Sequence, residues 1–242
     1  NNIYKYVNLM KVLSNVKGKD KIPTNSPLDL ILDGGIERRS ITQFYGPPGS
    51  GKTNIALNLA VQVAKNDKKV AYVDTEGGIS VDRIKQLSKS DFQKVAGNIV
   101  VFEPNTFEEQ EDDLKIIESW ISSNKDDVDL LIIDSAVALY RLIEVKNSKS
   151  NKDLGRQMGQ LSSISRKFNV AVVVTNQIYA SFDDDSDNVV PVGGTILQYW
   201  SKAIIELKRS LVISKRTAIL RRSKTSVEGK TVEFKITDDG IE

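Results

Sequence analysis

Residues Gly46-Pro47-Pro48-Gly49-Ser50-Gly51-Lys52-Thr53 satisfy the pattern G-x-x-x-x-G-K-[ST]. Glycines let the backbone curl so that successive N–H groups converge on one anion. A helix beginning at the end of the loop adds its positive N-terminal pole. Lys52 supplies a point charge for the β and γ phosphates, and the Thr53 hydroxyl is placed to ligate Mg²⁺. With Asn54 beside it, this stretch reads as a cradle for a nucleoside triphosphate. The nucleotide expected is ATP rather than GTP. A Gly-rich turn that binds nothing is the bland alternative.

Three polar residues at the ends of apolar runs read as partners of that cradle. Asp134 closes Leu130-Leu131-Ile132-Ile133-Asp134 and is the candidate second carboxylate for magnesium. Ser135 follows it, so no glutamate stands directly after that aspartate. Glu76 lies just past Val73-Asp74 and is the candidate water-activating group, provided its strand neighbours the strand that leads into the cradle. Gln177 closes Val174-Thr175-Asn176-Gln177, where an amide can hydrogen-bond a γ phosphate. A helix cap for Asp134 and an exposed loop residue for Glu76 are the competing readings.

These groups need elements to hold them. The pattern predicts strands over Ser40–Tyr45, Lys69–Asp74, Asn98–Phe102, Leu130–Asp134 and Val170–Asn176. Helices are predicted over Thr53–Ala64, Val81–Leu87 and Phe107–Ser122. Near-continuous apolar runs such as Val170–Val174 suit strands covered on both faces, hence a mostly parallel central sheet with helices on either side. Ala203–Lys208, Arg216–Arg222 and Thr231–Ile236 read as a C-terminal antiparallel extension. The fold class is α/β. Residues 1–26 form a separate N-terminal part, with an amphipathic stretch over Ile3–Val16 and a linker over Lys17–Pro27, ahead of a core at 27–242.

Composition narrows the chemistry further. The chain of 242 residues has neither cysteine nor histidine, so proton handling falls to carboxylates and any metal site to oxygen ligands. No apolar run approaches the length of a membrane span, and no secretion signal is visible, so a cytoplasmic location is expected. Net charge is only +2, so a nucleic-acid partner must be argued from local clusters. Arg141, Lys146, Lys149, Lys152 and Arg156, with Tyr140 nearby, form one. Lys215, Arg216, Arg221, Arg222 and Lys224 form another. Each also reads as a solvated face.

Taken together, GPPGSGKTN, VAYVDTEGG with Asp82-Arg83, LLIIDSAVALYR, VVVTNQIYA, VGGTILQYWSK and VEFKITDDGIE resemble the archaeal recombinases of the RecA superfamily, most of all their short paralogues. The order is consistent from about Pro27 to the last residue. The resemblance implies a RecA-type ATPase core without the helical domain that precedes it in the full-length recombinase. It implies Glu76 as catalytic glutamate, Asp134 as the Walker B carboxylate, Gln177 as γ-phosphate sensor and Arg83 as the arginine stacked on adenine. The same resemblance makes the segment after Tyr140 a DNA loop. The expected activity is weak ATP hydrolysis, with single-stranded DNA as partner. The expected task is to assist the main recombinase and junction-processing enzymes in recombinational repair, as a possible homo-oligomer. The sequence departs from that pattern at Asp183, Asp184, Asp185 and Asp187, carboxylates in a loop expected to meet DNA phosphates, and lacks prolines in Ser223–Gly229. A nucleotide-switched binding module, or a RecA-core ATPase of the circadian-clock type acting on protein, fits the same cradle.

Overall fold

The computed structural model describes residues 20–144, 150–178, 193–212 and 214–242. Its strands are β1 (Lys21–Ile22), β2 (Ile36–Glu37), β3 (Ile41–Gly46), β4 (Lys69–Asp74), β5 (Ile99–Phe102), β6 (Val128–Asp134), β7 (Ala171–Gln177), β8 (Ser201–Arg209), β9 (Lys215–Arg222), β10 (Thr231–Thr237) and β11 (Gly240–Ile241). The helices are α1 (Asp29–Leu32), α2 (Lys52–Lys65), α3 (Val81–Ser88), α4 (Phe92–Gly97), α5 (Phe107–Ser123), α6 (Ala138–Glu144), α7 (Ser150–Phe168) and α8 (Gly194–Trp200).

Nine strands form one sheet in the order β11-β10-β9-β8-β3-β7-β6-β4-β5. From β8 to β5 neighbouring strands run parallel, while β9, β10 and β11 pair antiparallel beyond β8. Successive side chains point to opposite faces of a strand, and both faces are covered here. Leu130, Ile132, Ala171 and Val173 face the layer containing α2, whereas Leu131, Ile133, Val172 and Val174 face the layer containing α5 and α7. Burial on both sides is why the apolar runs of β6 and β7 show no alternation. Capping fixes where two helices begin, one of them carrying Arg83: Ser80 accepts from Arg83 N at 3.1 Å, and Thr106 accepts from Glu109 N at 3.1 Å.

Three differences from the sequence reading matter. Residues 21–27 are not a linker, because β1 pairs antiparallel with β2 and Ile22 is in the core. Asp29 Oδ1 accepts from Thr24 N at 2.9 Å and from its hydroxyl at 2.8 Å, a local clasp too short for any periodicity to announce. The loop read after Tyr140 is helical in its described parts, so Arg141 lies on α6, and Lys152 and Arg156 on α7. And β4 does not neighbour β3, since β7 and β6 stand between them. The Ile3–Val16 stretch, Lys146, Lys149 and the Asp183–Asp187 run lie outside the described residues.

Candidate nucleotide-binding site

The Gly46–Thr53 loop joins the carboxyl end of β3 to the start of α2, the arrangement an anion cradle requires. Gly49 and Gly51 have φ of 72° and 101°, left-handed values that a side chain disfavours. A Cβ on Gly46 would meet Leu207 O at 2.4 Å and Ser50 Oγ at 2.8 Å. No substituent fits there. Ser50 Oγ is buried and has no hydrogen-bond partner among the described residues. A buried polar atom is seldom left so, and here it faces a loop built for an anion. The residues therefore fit a bound triphosphate.

Lys52 is buried, with its ammonium donating to Gly46 O at 2.9 Å and Pro47 O at 3.0 Å. Desolvation holds its pKa below the ordinary lysine value, opposed by the charges of Glu76 and Asp134 and reinforced by Arg141. The order of those effects is informative. Both carboxylates expected at the site act on the same ammonium, although Glu76 comes from a strand that is not next to β3. The loop after β4 folds back over the start of α2, where a Cβ on Gly78 would sit 3.5 Å from Thr53.

Asp74 makes that turn. Its carboxylate accepts from Glu76 N at 3.2 Å, Gly78 N at 3.0 Å and Ile79 N at 2.9 Å. Sequence reasoning passed over Asp74. The available signal was an aspartate at a strand end followed by Thr-Glu-Gly-Gly, an Asx-turn pattern. Next to it, Thr75 N donates to Asp134 O at 2.9 Å, and Thr75 Oγ1 accepts from Ser135 N at 2.8 Å, so the ends of β4 and β6 are tied together. The peptide between Asp134 and Ser135 is cis.

Asp134 is buried and held by two hydroxyls: Tyr72 donates to Oδ2 at 2.8 Å, and Thr175 donates to Oδ1. Burial, then the adjacent Asp134 charge, raises the Tyr72 pKa well above its ordinary value, so the phenol stays protonated as a donor. Among the described residues no group of three or more carboxylates could hold a metal ion. A magnesium ion at this loop would therefore take its other ligands from phosphate oxygens and water, with Thr53 and Asp134 as the protein's share. Gln177 is register-paired with Gly46, and its carbonyl accepts from Arg141 Nη2 at 3.1 Å. Arg141 thus sits at the nucleotide end of the sheet.

Arg83, expected against adenine, donates from Nη2 to Thr237 O at 2.8 Å and from Nη1 to Asp238 O at 3.3 Å, so the C-terminal strands fix its plane. The tetrad Asn124-Lys125-Asp126-Asp127 has the Asn-Lys-x-Asp spacing that would argue for guanine. Its position removes that meaning. It turns the chain into the N-terminal end of β6, away from the cradle, and Asn124 Oδ1 is taken by Lys69 Nζ at 2.6 Å.

The two basic clusters do not hold together as read. Arg156 is bound to Glu111 at 2.7 Å and Asp153 at 3.2 Å, while Lys152 stays exposed. The second cluster is divided by the length of β9. Arg216 Nε donates to Gly49 O at 3.0 Å at the cradle end, whereas Arg221 pairs with Glu206 and Arg222 binds Gln198 O toward the other end.

Comparison with known proteins places the chain in a family. A family model described as Rad51 matches residues 21–242. The DNA repair and recombination protein RadB of Methanobrevibacter smithii is 59% identical over 96% of this chain and 100% of its own length. The RadB of Methanosphaera stadtmanae is 51% identical with the same coverage. A crystal structure of the RadB recombinase superposes with a TM-score of 0.78 at 34% identity, covering 90% of this chain and 97% of that one.

Proposed function

The chain belongs to the Rad51 family, within its archaeal RadB group, and from that premise we propose that it is an ATP-binding, weakly ATP-hydrolysing accessory of DNA repair and homologous recombination. In this reading it binds single-stranded DNA and assists the main recombinase and junction-processing enzymes. It acts in the cytoplasm; among the described residues no helix is long and apolar enough to cross a membrane.

One observation supports the enzymatic part most directly: Glu76, on the loop after β4, and Asp134, at the end of β6, both act electrostatically on the buried ammonium of Lys52. Lys52 neutralises phosphate charge, and the loop N–H groups between Gly46 and Thr53 orient the chain of phosphates. Magnesium, when bound with the triphosphate, withdraws charge from the phosphate being transferred. Asp134 keeps lone pairs beyond the two used by Tyr72 and Thr175, enough to accept from metal-bound water. Glu76 is exposed at the loop tip and free to orient and deprotonate the attacking water. Gln177, beside Gly46, senses the γ phosphate and passes its state into the chain that follows β7. Arg83 offers its guanidinium face to the adenine.

The test is phosphate release with and without oligo-dT, alongside binding of a fluorescent ATP analogue. Slow turnover that depends on Glu76 is expected. ATP binding with no turnover in either condition would replace hydrolysis by a nucleotide switch.

A further inference from the structure

We propose that a basic cleft at the opposite edge of the sheet is a second contact site for single-stranded nucleic acid, with Trp200 as base platform and Arg39, Arg166, Lys202 and Lys224 as phosphate ligands. The cleft encloses about 300 Å³. It opens into a hollow of about 420 Å³ with which it shares Ser162, Arg166 and Trp200. Among the described residues, no acidic side chain lines either space.

Topology explains why distant parts of the chain meet there. Arg39 precedes β3, and Lys202 lies at the start of β8, which runs beside β3 with Ser201 opposite Ile41. Strand β9 is antiparallel, so its far end, Arg222 opposite Ile204, carries Lys224 to the same edge. Arg166 is in the last turn of α7, just ahead of β7, whose Val172 pairs with Ile41. Along β3, Ile41 and Gly46 are roughly 17 Å apart at about 3.3 Å per residue. The triphosphate cradle and this cleft are therefore separate sites.

Charge and shape both point to a strand. At several places away from the cleft exposed cations have acidic partners: Lys94 with Asp67 at 2.8 Å, Arg156 with Glu111 at 2.7 Å, Lys115 with Asp112 at 2.8 Å. The side chains of Arg39, Arg166 and Lys224 are exposed and make no hydrogen bond or ion pair among the described residues. Unneutralised cations converging on one cleft repel each other, and an anion relieves that repulsion. Trp200 adds what a bare anion does not need. Its half-buried indole lies against Gly159 of α7, where a Cβ would be 3.4 Å from the ring. A glycine inside a helix is unfavourable relative to alanine; here it gives the indole its seat. Tyr199, 72% exposed, stands edge-on to Trp200 with ring centres 5.4 Å apart. Aromatic faces beside arginines are how sequence-tolerant single-strand binding works. The proposal goes beyond the ATP-site reading and shares with it only the choice of DNA as partner.

The chain has two tryptophans, so Trp120→Phe leaves Trp200 as the sole indole reporter. Oligo-dT added without nucleotide is expected to quench Trp200 emission saturably. Combining Arg39→Ala with Arg166→Ala should abolish most of the quench and flatten the salt dependence of log Kd by about 1.4, at roughly 0.7 per single-strand phosphate contact. Fluorescence anisotropy of labelled oligo-dT with the two-arginine variant in the otherwise native chain gives the same slope independently of Trp120→Phe. Strand binding with neither Trp200 quenching nor a change of slope would overturn this site while leaving the DNA reading intact. No strand binding of any kind would overturn both. Thymidine monophosphate quenching as tightly as the strand would make the cleft a mononucleotide pocket, which also overturns the proposal.

Discussion

In the proposed function nucleotide affinity turns on Lys52, a buried ammonium placed to neutralise phosphate charge. Charge-assisted hydrogen bonds contribute about 1.5–3 kcal/mol each, so Lys52→Ala should weaken binding of a fluorescent ATP analogue at least tenfold. The pH dependence follows from its shift. Desolvation and Arg141 hold the Lys52 pKa below the ordinary value, and the ammonium is the binding form. Affinity should be full below that lowered pKa and fall as pH rises through it, earlier than an unperturbed lysine would allow. Arg141→Gln removes one lowering cause and should move the alkaline limb upward; a limb that stays put would detach Arg141 from the site. Glu76 is tested by a different readout. Glu76→Gln should keep ATP affinity and lose about 100-fold or more in phosphate release, the usual size of a general-base contribution. Normal turnover in that variant would assign the water to another group.

At the level of elements, the loop after β4 is positioned by Asp74 rather than by strand adjacency. Asp74→Ala would strip the acceptor from the N–H groups of Glu76, Gly78 and Ile79 together. Turnover should drop toward that of Glu76→Gln while P-loop affinity changes little, and Asp74→Asn, which keeps one acceptor oxygen, should recover part of it. If Asp74→Ala hydrolyses ATP normally, the turn does not set Glu76. Much of this was legible beforehand. The pattern G-x-x-x-x-G-K-T, Asp134 at the end of a doubly covered strand, and the antiparallel tail all follow from residue types and local period. The strand order did not follow. Periodicity says which segments are strands, but not that β7 and β6 intervene between β3 and β4, because pairing depends on where each crossover helix lands. Charge clusters misled for a related reason. Residues 215 and 224 look adjacent in sequence, yet β9 alone carries the chain about 23 Å at roughly 3.3 Å per residue, from the cradle to the opposite edge. Helix α7 was invisible as a DNA-loop flank because its polar Lys152 and Arg156 read as loop charges, although its face of Leu154, Met158 and Leu161 is buried.

Across the whole molecule, the antiparallel extension acts as a wall of the nucleotide site as well as an edge of the sheet. Ile236 lies so near Gly51 that a Cβ there would be 2.9 Å from its Cδ1. Phe234 and Ile241 are buried in the same core layer as α2. The carbonyls of Thr237 and Asp238 hold Arg83, and Arg216 reaches the carbonyl of Gly49. If the cradle holds ATP as proposed, stability and nucleotide binding should be coupled through these strands. Phe234→Ala removes a fully buried ring and should cost about 3–5 kcal/mol of stability, seen as a lower midpoint in denaturant. Saturating ATP at about 100 times Kd would return roughly 2.7 kcal/mol to any variant that still binds it. Because the ring supports the strand that carries Ile236, the Thr237 carbonyl and, next to it, that of Asp238, Phe234→Ala should also weaken ATP binding and so recover less than that. A core truncation of similar stability cost on α5, away from the cradle, such as Ile117→Ala, should recover the full amount. Equal recovery in the two variants would show that β10 supports the fold without shaping the pocket.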